Sequence, residues 1–235
     1  ADGMWLEAGQ FGAGIVGGDL VASPQWVISV TALGDLGGRN PVLRSGARPG
    51  SAVAVAGDLG RSATGYTLWH NGIRDFEEVR RRHLVPRPPY GQGLVAAQAG
   101  AQAMTDVSDG LLADLGHLAT ASGVSIDLSG AALQADVDAV AGAAAAAGVD
   151  PWTLVLSGGE DHALVACFPG DVPAGWRVIG MVREGTPGVV LDGRPPTGPA
   201  SSPRHPGGRA RSGWAGPAWR WSTWASRCWR PVSCC

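Results

Sequence analysis

At 235 residues, with 45% apolar and only 16% charged side chains, the chain can hold one or two domains with a real core. That composition excludes an acidic disordered segment or a strongly basic nucleic-acid binder. The net charge of -2 hides an asymmetry, because all 20 acidic residues precede Gly193 while residues 195–235 carry six arginines and no acid. Lysine is absent throughout, so any phosphate must be gripped by arginine, backbone N–H groups or metal ions. The four cysteines show no zinc spacing and are placed too badly for a disulfide framework, with Cys167 alone and Cys228, Cys234 and Cys235 crowded together. The longest nearly apolar stretch, Val137–Val149, carries Asp138 and is too short to span a bilayer. Ala1-Asp2-Gly3 shows no basic-then-apolar leader, so the expected location is the cytoplasm.

Taken in order, Met4, Leu6 and Phe11 recur at roughly helical spacing from the first residues. No N-cap precedes that pattern, which leads us to expect that upstream residues are missing. Gly12 to Asp19 reads as a turn, a short strand at Ile15-Val16 and a glycine loop, and Trp26 to Leu33 reads as a strand. Glycine, proline and arginine dominate from Gly34 to Gly50 and mark a domain junction. Beyond it, strands are expected at Ala52–Ala56, Val124–Leu128, Ala163–Phe168, Val178–Val182 and Val189–Leu191. Helices are expected at Ser62–Asn71, Phe76–His83, Leu94–Gln102, Gly110–Ser122 and Asp136–Gly148. The mixture implies an α/β or α+β domain over about residues 39–194, preceded by a partial domain at 1–38.

Residues 195–235 are different material. They hold five of the ten tryptophans and three of the four cysteines among Arg, Ser, Gly and Pro, without periodicity. An arginine–tryptophan arm for nucleic acid or membrane is one reading; out-of-frame translation of a GC-rich gene is the preferred one, giving an aberrant, disordered tail.

Three clusters pair glycine with carboxylate: Gly17-Gly18-Asp19, Asp106-Val107-Ser108-Asp109-Gly110 and Ser157-Gly158-Gly159-Glu160-Asp161. Glycine lets the backbone approach a ligand, and an adjacent carboxylate can hold a metal on it. Each alone also reads as an ordinary turn or helix cap. Asp106 and Asp109 repel each other unless a cation sits between them, and all-oxygen ligands suit magnesium with phosphate. Gly12, Gly14 and Gly17, with Asp35 beyond, mimic a dinucleotide fingerprint, but a helical pattern precedes the glycines where a strand is required. The Arg80-Arg81-Arg82-His83 run reads as a solvated helix end.

These clusters occur in order with Ile28-Ser29-Val30-Thr31-Ala32-Leu33-Gly34, Arg44-Ser45-Gly46-Ala47-Arg48-Pro49-Gly50 and Val53-Ala54-Val55-Ala56-Gly57. Together the motifs resemble the thiamine-monophosphate kinase family over about residues 1–194, with Asp58-Leu59-Gly60-Arg61-Ser62-Ala63 adding support. The resemblance implies the two-domain aminoimidazole ribonucleotide synthetase-like fold, with most of its amino-terminal ATP and dimerisation domain missing here. It implies ATP-dependent phosphorylation of thiamine monophosphate to thiamine diphosphate, with Mg2+ and a homodimeric full-length protein, and no nucleic-acid or membrane partner. By motif position, Gly18, Asp19, Arg44 and Ser108 would bind ATP. Asp19, Asp106 and Asp109 would hold magnesium, and Glu160 with Asp161 would face the thiamine side. An inactive truncated remnant that at most binds nucleotide, or a sibling enzyme such as selenophosphate synthetase, are the alternatives.

Overall fold

The computed structural model describes residues 2–25 and 27–196. The expectations for the tail therefore fall, apart from its first two residues, outside the described residues. Six strands form one sheet in the order β2-β4-β1-β5-β3-β6. They are β1 (Ala52–Ala56), β2 (Ala103–Val107), β3 (Ser125–Leu128), β4 (Ala163–Phe168), β5 (Arg177–Arg183) and β6 (Gly188–Leu191). All neighbouring pairs run antiparallel except β3 with β6. The helices are α1 (Asp2–Gly9), α2 (Arg61–His70), α3 (Glu77–Leu84), α4 (Gln92–Gln98), α5 (Leu111–Ser122), α6 (Gly130–Ala147) and α7 (Pro151–Ser157).

Alternation along β1 sorts the core into two layers, because successive side chains leave opposite faces of a strand. Val53 and Val55 join the larger layer, where Leu111, Leu115 and Leu118 of α5, Leu133 and Val140 of α6 and Val155 of α7 close over the sheet. Ala54 and Ala56 face the smaller layer with Ala96 of α4, Ala166, Phe168 and Trp176. Each fully buried leucine contributes about 1.5–3 kcal/mol by leaving water, so the first layer dominates stability. Between β1 and β5 the register slips at Val53/Ala54, where Val53 faces Gly180 and Ala54 faces Val178. Gly180 is required there, since a Cβ would lie 2.3 Å from the Asp127 carbonyl oxygen.

The mixed α/β class and most elements agree with the sequence reading to within one or two residues, with five exceptions, the first being that the helix expected at Leu94–Gln102 is α4 and ends four residues earlier, at Gln98. β2 was not expected, since Met104-Thr105-Asp106 looks like loop until β4 supplies its ladder. The helix expected from Asp136 begins six residues earlier at Gly130, capped by the Ser129 hydroxyl, which accepts the Ala132 N–H at 3.3 Å. The apolar run Leu154–Leu156, for which no element is expected above, lies in the helix α7, which leads into strand β4. Its signal was present: Asp150 accepts the N–H groups of Trp152 and Thr153, and Pro151 opens the helix. Finally, Ile15–Val16 and the described part of Trp26–Leu33 form no strand, because an extended segment becomes a strand only with a partner for its backbone groups. Ile15–Gly34 belongs to a separate unit, in which Val16, Leu20 and Leu33 are exposed.

No single described helix is long and apolar enough to cross a membrane; α6 and α7 meet the length and composition test only as a pair bent by 119°.

Candidate functional site

Two of the three glycine–carboxylate clusters meet at one end of the sheet. β2 and β4 pair antiparallel, with Val107 opposite Ala163 and Asp106 opposite Leu164. The loop leaving β2 and the loop entering β4 therefore emerge side by side. They extend the ladder beyond the strands: the Glu160 N–H donates to the Ser108 carbonyl at 2.9 Å and the His162 N–H to the Val107 carbonyl at 3.0 Å. The glycines permit this approach. A Cβ on Gly159 would lie 2.4 Å from the Ser108 oxygen, and one on Gly110, whose φ is 116°, would lie 2.8 Å from the Ser157 oxygen.

Each loop contains or borrows one buried acid. Asp114, in the first turn of α5, accepts the N–H groups of Ser108, Asp109 and Gly110 on its Oδ2 at 3.0, 2.9 and 3.2 Å. Burial raises its pKa, and the negative charges of Asp109 and Asp106 add to that while the amides oppose it. Asp161 is buried and reaches across the fold to the start of α2. Its Oδ2 accepts the Gly60 N–H at 2.6 Å and its Oδ1 the Ser62 N–H at 2.9 Å. Burial pushes this carboxyl up to about 7 despite both amides.

The remaining acids are accessible. Asp106 is half-buried and Asp109 exposed. Glu160 is exposed and pairs with the His162 imidazole, Oε2 to Nε2, at 3.4 Å. The hydrogen bond from His162 holds the Glu160 pKa below its ordinary value, and the same bond raises that of His162. Behind them the His83 ring lies 3.1 Å from the Ser62 hydroxyl, its pKa lowered by burial. Arg44 approaches from the segment before β1, its Nε donating to the Thr105 hydroxyl at 3.1 Å. Thr105 in turn lies 3.4 Å from Asp106 Oδ1. The Ser122 hydroxyl fixes this approach by donating to the Arg44 carbonyl at 2.7 Å.

The structure thus brings Arg44, Asp106, Ser108, Asp109, Glu160 and Asp161 to one end of the sheet. Gly18 and Asp19 lie in the separate Ile15–Gly34 unit, where Asp19 Oδ1 accepts the Leu20 N–H at 2.8 Å. Sequence reasoning missed Asp114, whose only signal was an acid in the first turn of a helix, and His162, which offered no ligand spacing. Asp109, Asp114 and His117 are the one group among the described residues whose ligand atoms gather within 4.8 Å, as a small metal site requires. Beside Asp161 lies a groove lined by Asp58, Arg61, Ser62, Arg82 and Arg87, and a half-open cavity of about 440 Å³ along α3 shares Arg82 and Arg87 with it. Asp58 pairs with two of the groove's arginines, Arg61 and Arg82, at 3.4 Å each.

The sheet, the two joined loops and the acid-rich end define a recognisable class. Residues 48–182 match the C-terminal domain of AIR synthase related proteins, and the chain belongs to that family. Within it, the similarity narrows to one kind of protein. A thiamine-monophosphate kinase from Mycobacterium tuberculosis is 71% identical over 197 residues, covering 84% of this chain and 59% of that protein. One from Corynebacterium glutamicum is 43% identical over 190 residues, covering 78% and 57%. Among solved structures, thiamine monophosphate kinase from Aquifex aeolicus superposes with a TM-score of 0.57 at 34% identity, covering 65% of this chain and 53% of that one. The structure of AaThiL complexed with AMPPCP and TMP gives 0.58 at 32% identity, covering 67% and 52%. The chain spans a little over half the length of the relatives it matches.

Proposed function

We propose that this chain is the phosphate- and metal-handling part of a thiamine-phosphate kinase, transferring the γ-phosphoryl group of ATP to thiamine monophosphate to form thiamine diphosphate. The observation that carries the reading is the joining of the Asp106–Gly110 and Ser157–Asp161 loops, which places three accessible acids at one sheet end with Arg44 beside them. The 71% identity to a thiamine-monophosphate kinase supports it, as does the likeness to a structure holding AMPPCP and TMP.

The donor set fits a hard divalent cation. Asp106 and Asp109 supply carboxylate oxygens, Asp109 exposed and Asp106 half-buried. Asp106 and Asp109 would hold magnesium, which when bound neutralises phosphate charge. Arg44 serves the nucleotide phosphates: its Nε rests on Thr105, and no hydrogen bond or ion pair engages its terminal nitrogens among the described residues. Ser108 lies beside the nucleotide. Glu160 faces the thiamine side, kept ionised by His162. Asp161 serves that side through the loop it anchors, since its oxygens are bonded to Gly60 and Ser62. The attacking group is a phosphate oxygen already ionised at neutral pH, so positioning and charge neutralisation suffice without a strong base. In this reading the full-length enzyme is a cytoplasmic homodimer that uses neither nucleic acid nor membrane.

The test is transfer of radiolabel from γ-labelled ATP with magnesium. Labelled thiamine diphosphate from thiamine monophosphate is the expected product. Absence of transfer both from this chain and from a version extended to its relatives' length would overturn the proposal. Calorimetric binding of ATP without transfer by this chain alone would assign it nucleotide binding only.

A further inference from the structure

Three consecutive amides, those of Ser108, Asp109 and Gly110, converge on a single oxygen of Asp114. A run of N–H groups pointing at one spot is the arrangement that proteins use to cradle a phosphate. Here the cradle is filled from inside the protein by a side chain only 2% exposed. The loop's amides are therefore committed to Asp114, and what the loop offers outward is the exposed carboxylate of Asp109, while the Ser108 carbonyl stays inside the joined loops. That carbonyl is the one that receives the Glu160 N–H, so the same anchor sets how the second loop is aligned.

We propose that Asp114 is a positioning residue: by accepting these three amides it fixes the direction in which Asp109 meets a magnesium–nucleotide complex and keeps the two loops in register. The proposal rests on the reading of Asp106 and Asp109 as cation ligands given above. Asp114 itself acts through the backbone, and Asp109 alone of the two is exposed.

Two measurements on the full chain test it, with Asp114→Asn, Asp114→Ala and Asp109→Ala as variants. Hydrogen–deuterium exchange follows the amides of residues 108–110 directly and needs no ligand. Asp114→Ala is expected to accelerate exchange at these residues while the β1 and β4 amides stay protected. Asp114→Asn, which keeps an oxygen of the same reach, is expected to retain part of the protection. Asp109→Ala should leave it intact. Titration of magnesium at fixed ATP then reads positioning. The half-saturating magnesium concentration should rise about tenfold in Asp114→Ala, as when a group supporting a metal ligand is removed, and less in Asp114→Asn. Unchanged exchange at 108–110 in both Asp114 variants would overturn the proposal. So would loss of magnesium dependence in Asp114→Asn as complete as in Asp109→Ala, which would make Asp114 a direct ligand. If the parent chain binds no magnesium–ATP, the nucleotide reading fails and the positioning role fails with it, while exchange still decides whether Asp114 pins the loop. Should Asp114→Ala not fold, Asp114→Asn decides both measurements.

Discussion

Replacing Asp161 by asparagine separates two opposing effects on one buried carboxyl. Its two oxygens accept the Gly60 and Ser62 N–H groups at 2.6 and 2.9 Å, tying the β4 entry loop to the start of α2. A protonated carboxyl can still accept on both oxygens, whereas an asparagine turns a second donor towards one of the amides. One hydrogen bond is lost and one buried N–H left unpaired, a cost of about 2–3 kcal/mol. Burial works the other way, pushing the carboxyl from 3.8 up to about 7. A raised native pKa means that between those values the native state holds a proton the unfolded chain has released, so stability from this group is present below about pH 4 and is lost as pH rises through 7. Urea unfolding of parent and Asp161→Asn across pH 4–9 reads this residue together with the Asp58 and His162 charges coupled to it, because the other titrating groups cancel in the difference. The variant should be less stable by about 2–3 kcal/mol at the acid end, with the gap closing and then reversing as pH rises towards 7, because a carboxyl shifted from 3.8 to about 7 loses the parent about 4 kcal/mol over that range. A gap that widens with pH would refute the reasoning, showing that the amides outweigh burial and hold the carboxyl below its ordinary range. A zero gap at low pH would show that the lost bond contributes nothing.

Two further outcomes follow from the joined loops. Gly159→Ala places a Cβ where only 2.4 Å separates it from the Ser108 oxygen; it should cost about 1–3 kcal/mol by forcing the loops apart, measured by thermal melting. His162→Ala removes the hydrogen bond that lowers the Glu160 pKa, so the Glu160 carboxyl should titrate at a higher pH in a carbon-detected NMR titration, and an unchanged value would exclude the pairing.

What was legible in the sequence was whatever declares itself locally. β1, β4 and β5 are short apolar runs bounded by glycine or proline, and the glycine–carboxylate clusters are conspicuous in a chain with few charges. β2 was hidden because half its residues are small or polar, and its strand character comes from pairing with β4, some 60 residues further on. The site residues were named as metal, nucleotide and substrate ligands without the distinction between acids that face outward and acids that serve the backbone. That distinction depends on contacts such as Asp161 with Gly60, separated by 101 residues, which no local pattern encodes. The glycines likewise were read as making room for a ligand, whereas Gly110 and Gly159 make room for each other's loop.

The division between inward and outward acids has an energetic consequence. Glu160 and His162 both sit in the left-handed region, at φ 64° and 54°, on either side of buried Asp161. Non-glycine residues held there cost about 1–3 kcal/mol each, and nothing in their own side chains requires it. The backbone bends because two demands must be met within three residues: Asp161 must point inward to α2, and the N–H groups of Glu160 and His162 must both reach β2. The outcome is that Glu160 is turned out to solvent with its carboxylate against His162. Strain of this kind persists only where surrounding bonds over-determine it, and here those bonds come from Asp161 and the Ser108 loop that Asp114 fixes. Two acids withdrawn from solvent, Asp114 and Asp161, thus define the orientation of the acids left at the surface.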